Sequence, residues 1–153
     1  MFVGRYFHNL DAKGRVAVPH KFRSDLGGSN DGRVVITIST NSNYASLDVY
    51  AAERWEAKVE EILKAEIPGD DPESVRESIL ANYIHPAQEQ SLDSQGRLLI
   101  PQEHREAAGL GKEIAFTGDM QKFRLWSIDE WRRYDENSRG DKDKIKSLGN
   151  LWL

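Results

Sequence analysis

Asp11-Ala12-Lys13-Gly14-Arg15 and Asp93-Ser94-Gln95-Gly96-Arg97 place a carboxylate, a turn glycine and a guanidinium at the same spacing twice, 82 residues apart. A guanidinium presented on a tight turn can do two kinds of chemistry. It can neutralise phosphate, or it can fork onto guanine O6 and N7 in the major groove. A carboxylate facing DNA would be repelled, so Asp11 and Asp93 are expected to accept amide hydrogen bonds within their own turns, or to pair with Arg15 and Arg97. Either bond fixes the hairpin that presents the cations. A stable turn with a surface ion pair of little energetic worth would explain one such segment. Its recurrence, with arginine again after glycine, favours a function. Arg15 is the expected base-reading residue and Lys13 and Lys21 the expected phosphate contacts, with Arg5, Arg23 and Arg97 completing the candidate set.

The other reactive residues do not assemble into a site. There is no cysteine, which excludes disulfides, thiolate zinc sites and cysteine nucleophiles. His8, His20, His85 and His104 have no metal-ligand spacing and read as surface or partly buried imidazoles. Gly109-Leu110-Gly111-Lys112 has its glycines too close for a phosphate loop and no Ser or Thr after the lysine. Glu60-Glu61 and Asp70-Asp71 read as solvated charge on a helix and in a loop. No enzyme activity, metal or cofactor is expected.

Charge location matters more than its total. The 153 residues carry 21 Lys and Arg against 25 Asp and Glu, a formal −4, which by itself disfavours a nucleic-acid partner. Yet residues 1–28 hold Arg5, Lys13, Arg15, Lys21 and Arg23 against Asp11 and Asp25, a local +3. Residues 53–78, with nine acidic and four basic side chains, come to −5. The second repeat is weaker: Gln95 replaces Lys13, His104 stands where Phe22 does, and residues 88–112 sum to −1. If only one copy grips phosphate strongly, the first is expected to do so. No apolar stretch is long enough to span a bilayer, and Met1–His8 lacks a basic region followed by an apolar core, so cytoplasm is the expected location.

The elements that must position the turns repeat as well. Asp at the first and Gly at the fourth position suits a type I turn closing a hairpin. Short strands Val16–Val18 and Leu98–Ile100 follow, then Pro19 and Pro101 at the start of short helices that Gly27 and Gly109 should end. Val34–Ile38 and Leu47–Tyr50 read as a second strand pair, matched by Ile114–Thr117 and Phe123–Trp126. Val49-Tyr50 with Trp55 corresponds to Leu125-Trp126 with Trp131, and Ser127-Ile128-Asp129-Glu130 is a capping box that Ala51 lacks. Trp55, Val59, Ile62 and Leu63 form a helical stripe expected to face the core, with an interface as the alternative, and Val75, Ile79 and Tyr83 form another after Pro68–Asp71. The polar tail ending Leu151-Trp152-Leu153 is expected to be disordered or to dock on a neighbour.

Phe2-x-Gly4, Leu10-Asp11-x-Lys13-Gly14-Arg15-x-x-x-Pro19 with Phe22-Arg23, and Leu92-Asp93-x-x-Gly96-Arg97-x-x-x-Pro101, backed by Trp55 and Trp131, resemble the MraZ family of bacterial transcriptional regulators. The resemblance covers the chain end to end. It implies an α+β fold: a tandem duplicated swapped-hairpin, AbrB-like, double-psi-type β-barrel with flanking helices. SpoVT-AbrB-type domains would occupy 5–52 and 81–124, a helical connection 53–80, and a C-terminal helix and tail 125–153. It further implies a DNA-binding repressor that assembles into a homo-oligomeric ring on short tandem boxes in double-stranded DNA. Those boxes would lie upstream of the operon for cell division and cell-wall synthesis, its own gene included, and the protein would associate with the nucleoid. No membrane and no small-molecule substrate are implied. The motif carries over to Asp11 with Arg15 and Asp93 with Arg97, on turns held by Gly14 and Gly96. The hairpin tip, rather than a recognition helix, would enter the groove. A ring-forming scaffold in which Arg15 and Arg97 pair with acidic patches of neighbouring subunits is the alternative from another class, and an antitoxin-like member of the same superfold is a third.

Overall fold

In the computed structural model, which describes residues 1–27 and 32–149, the repeat seen in the sequence becomes a repeat of elements. The first copy runs β1 (Arg5–Asn9), β2 (Arg15–Ala17), α1 (His20–Asp25), β3 (Arg33–Ile38), β4 (Leu47–Ala51) and α2 (Ala52–Lys64). After α3 (Pro72–Ile79) and a π-helical turn (Leu80–Ile84), the same order returns. It comprises β5 (Gln88–Ser91), β6 (Arg97–Leu99), α4 (Gln102–Ala107), β7 (Glu113–Gly118), β8 (Phe123–Ser127) and α5 (Ile128–Arg139). A 3₁₀ segment, Lys142–Leu148, follows α5, so the polar tail is helical that far. The expectation for Leu151-Trp152-Leu153 falls outside the described residues.

The strands pair across the two copies. An antiparallel sheet has the order β1-β7-β8-β4-β3-β5, in which β1 of the first copy lies on β7 of the second and β5 of the second lies on β3 of the first. Among the described strands β2 pairs with β6 alone, in a separate two-stranded ribbon. The fold is therefore α+β with an antiparallel sheet, but the ladder is open. β1 and β5 are its edges, and no described strand joins them into the expected closed barrel. The reason is local: β1 and β5 each enter a tight turn whose returning strand bonds to the other copy's returning strand instead of extending the sheet.

Alternation along the strands decides what is buried. Val16 and Leu98 point inward from the ribbon onto Phe22, Val34, Ile36, Phe116 and Phe123, all buried. Phe22 is the hub: its ring meets those of Phe2, Tyr6 and Phe123 at centroid distances of 5.5, 5.2 and 5.0 Å. The counterpart of Phe22, His104, is fully buried, deeper than the surface or partly buried place expected for it, and its Nε2 donates to the Pro86 carbonyl at 2.8 Å. A flat ring suits that core position; the carbonyl satisfies Nε2, while Nδ1 is buried without a hydrogen-bond partner among the described residues.

Three local expectations meet different fates. Gly27 and Gly109 take the left-handed backbone just after α1 and α4, as read. Ser127 caps α5 by accepting from the Glu130 amide at 3.1 Å, but Glu130 does not return the bond. Its carboxylate instead accepts from the Ala45 amide and the Arg133 Nε, tying α5 to the β3–β4 loop, and the Arg133 bond chiefly lowers its pKa. The stripe on α2 is not core: Trp55, Val59 and Ile62 are half-buried and Leu63 is exposed. Trp55 packs between the rings of Tyr50 and Tyr83 on the flank of the sheet, which leaves the rest of the stripe open. Tyr83 donates to the buried carboxylate of Asp48 at 2.7 Å, and burial followed by that charge pushes its phenol well above the ordinary value.

Candidate nucleic-acid interface

Each turn is locked by its aspartate. Asp11 Oδ1 accepts from the amides of Lys13 and Arg15, both at 2.9 Å, while Oδ2 accepts from the Arg15 Nε at 2.9 Å. Asp93 does the same with the amides of Gln95 and Arg97 at 2.9 Å and with the Arg97 Nε at 2.7 Å. The fourth residue turns the chain with φ +83° at Gly14 and +74° at Gly96, a conformation costly for any residue with a Cβ. Both carboxyls are held below the usual range, first by the amide of the paired arginine, with the guanidinium contributing further.

The depressed pKa values have a direction that can be measured. A folded carboxyl that binds its proton less readily than the unfolded one contributes stability at neutral pH, which is lost as pH falls through the folded value. The midpoints for Asp11 and Asp93, followed by carboxyl-carbon NMR shifts, are expected below the ordinary aspartate value of about 3.9. A variant with both Asp11→Asn and Asp93→Asn should lose less stability than wild type as pH falls through that range.

Only Nε of each arginine is engaged by its aspartate, and among the described residues the outer Nη edge of Arg15 and of Arg97 has no protein acceptor. The two side chains are similarly exposed, 29% and 30%. They belong to one surface. In the ribbon Arg15 lies opposite Leu99 and Ala17 opposite Arg97, so these four share a face, while Val16 and Leu98 occupy the other. Arg15 and Arg97 stand on a diagonal of that face, roughly 8 Å apart at Cα by strand geometry. Lys13 and Gln95 are exposed on the turns at opposite ends of the ribbon.

Each turn is completed by the other copy. Gly14 O accepts from the Ile100 amide at 2.9 Å and Gly96 O from the Val18 amide at 3.0 Å. The guanidinium of Arg105, on α4, lies so close over Gly14 that a Cβ there would collide with it, and Arg23, on α1, lies in the same way over Gly96. Arg23 also reaches the Gln95 carbonyl at 3.5 Å. The candidate residues therefore distribute unevenly. Lys13 and Arg15 share the first turn with Arg105, while Arg23 joins Arg97 at the second. Lys21 pairs with Asp25 at 3.6 Å on α1. Arg5 sits at the far end of β1, opposite Thr117, and is not gathered with the turn. Arg105 is absent from the set read off the sequence, although the 82-residue offset maps it onto Arg23.

Comparison with known proteins follows the same two repeats. The family described as "MraZ protein, putative antitoxin-like" matches residues 1–74 and 83–147. A transcriptional regulator MraZ from Acidithiobacillus ferrooxidans is 35% identical over the whole of both chains. One from Alkalilimnicola ehrlichii is 37% identical, again over the whole of both. One from Lachnoclostridium phytofermentans is 36% identical over 95% of this chain and 92% of its own. Since both the family match and the full-length identities take in the two Asp-x-x-Gly-Arg turns and the elements around them, the chain belongs to the MraZ family.

Proposed function

We propose that this protein is a sequence-specific DNA-binding transcriptional regulator that uses the outer face of the β2–β6 ribbon to read the major groove. The observation that carries the reading is the diagonal Arg15–Arg97 pair: each guanidinium is oriented by an aspartate through Nε and leaves its Nη edge free. A two-stranded ribbon fits a major groove, and an arginine fork is the commonest partner for guanine there. Lys13, and Arg23 and Arg105 over the turn glycines, are placed to meet phosphates on either side. The aspartates orient and do not face the DNA.

The finer expectations follow the family. The crossing of β1 onto β7 and β5 onto β3 supports a swapped-hairpin pairing of the segments 5–52 and 81–124. The protein represses the operon for cell division and cell wall that includes its own gene, binds short tandem boxes as a homo-oligomeric ring, and associates with the nucleoid. A ring suits a chain of net −4, because repeated weak patches on one particle gain avidity on repeated boxes. The exposed Leu63 and Val75 on α2 and α3, within the −5 segment, offer a surface for neighbouring subunits. The experiment titrates DNA from immediately upstream of the gene, intact and with its repeats scrambled, at several salt concentrations, with particle mass recorded alongside. Preference for intact DNA by a multimer, weakening steeply with salt, is expected. Equal binding to both DNAs would leave a scaffold and overturn specific regulation.

A further inference from the structure

Leu99 is 46% exposed although the neighbouring Val16 and Leu98 of the same ribbon are buried almost completely. Isolated exposed leucines are ordinary. This one is singled out by its company: it lies directly opposite Arg15 and two residues along β6 from Arg97, on the face where both guanidiniums have free edges. Ala17 holds the corresponding place on β2, opposite Arg97, and is exposed too. The outer face of the ribbon thus alternates two cations with two apolar residues in a rectangle, and the cations commit it to a polyanion rather than to an apolar protein surface.

We infer that Leu99, and more weakly Ala17, determine specificity by packing on thymine methyl groups, an inference that rests on the ribbon being the DNA-reading surface. The floor of the major groove is polar at every base pair except for one group, the C5-methyl of thymine. A leucine carried into the groove between two arginines would desolvate donors and acceptors without repayment at guanine, cytosine or adenine, and gains contact chiefly at that methyl. Because Leu99 is the cross-strand neighbour of Arg15, its thymine lies beside the guanine read by Arg15. Ala17 reaches less far from the same kind of position. The two halves of the ribbon therefore discriminate unequally, and a site read by this pseudo-symmetric face has a strong thymine requirement at one end and a weak one at the other.

Replacing each thymine of the upstream repeat DNA by uracil, one position at a time, removes the methyl and nothing else. Wild type is expected to lose about 3- to 5-fold in affinity at one such position, the worth of one buried methyl group. Leu99→Ala should bind the intact DNA more weakly by a similar factor and lose the difference between thymine and uracil at that position. Ala17→Leu should strengthen the weak thymine preference at a second position. If wild type prefers intact over scrambled repeats yet is indifferent to uracil at every position, the methyl reading is overturned while the DNA reading stands. If Leu99→Ala alters particle mass and leaves the thymine-to-uracil ratio unchanged, Leu99 is instead a contact between copies. Failure to distinguish intact from scrambled DNA would overturn both readings.

Discussion

Replacing Arg15 and Arg97 together by alanine is expected to reduce affinity for intact upstream repeats by about 30- to 10⁴-fold per reading face, each forked contact being worth about 1–3 kcal/mol. Binding to scrambled DNA should fall far less, since Lys13, Arg23 and Arg105 remain. The fold should survive, because exposed ion pairs contribute little to stability. Arg15→Lys is the informative control: it keeps the charge but loses the planar fork, so it should behave like Arg15→Ala on intact repeats and like wild type on scrambled ones. The two single alanine variants are expected to cost similar amounts. Their geometry is the same, with the carboxylate taking Nε at 2.9 Å in one turn and 2.7 Å in the other. Fluorescence anisotropy on both DNAs, with melting temperature measured on the same samples, separates these outcomes.

Phe22→Ala should have the largest effect on stability, about 3–5 kcal/mol by chemical denaturation, the range for emptying a buried aromatic site. Phe22 is fully buried and touches rings from the N-terminal segment, β1 and β8, so its cavity would open between the two copies. Both turns lean on that junction, because each turn glycine is bonded by an amide of the other copy. Loss of DNA binding in this variant should therefore track loss of folded protein. That separates it from the double arginine variant, in which binding is lost with the fold intact.

Local chemistry made the turns legible in the sequence. Asp at one place, Gly three residues on and Arg next specify their own hydrogen bonds within five residues, and each of those bonds is present. The strands and helices of each copy were legible for a similar reason, since their apolar periodicity and their punctuation by Pro19, Pro101, Gly27 and Gly109 are short-range. What the residues by themselves did not reveal was which copy's strand pairs with which; a swapped hairpin was implied only by the family resemblance. Near-identical hairpins satisfy the same ladder within a copy or across copies, and the choice is made by long-range packing around Phe22 and Phe123. That crossing also redistributes the charge, although the first turn keeps Lys13, Arg15 and Arg105 against Arg97 and Arg23 at the second. Counting along the chain assigned Arg23 to the first turn and gave the second turn little cation, whereas in space Arg23 lies over Gly96 and Arg105 over Gly14. The apolar stripe on α2 misled for a different reason: periodicity reports an apolar face but not whether the same chain covers it.

If Arg15 and Arg97 touch guanine edges in the major groove, methylation protection at guanine N7 reads that contact atom by atom. On upstream repeat DNA, protected guanines are expected to recur in every box, with one subset lost in Arg15→Ala and a different subset lost in Arg97→Ala. Binding that leaves every guanine N7 open to methylation, or a protection pattern unchanged by both substitutions, would contradict that contact.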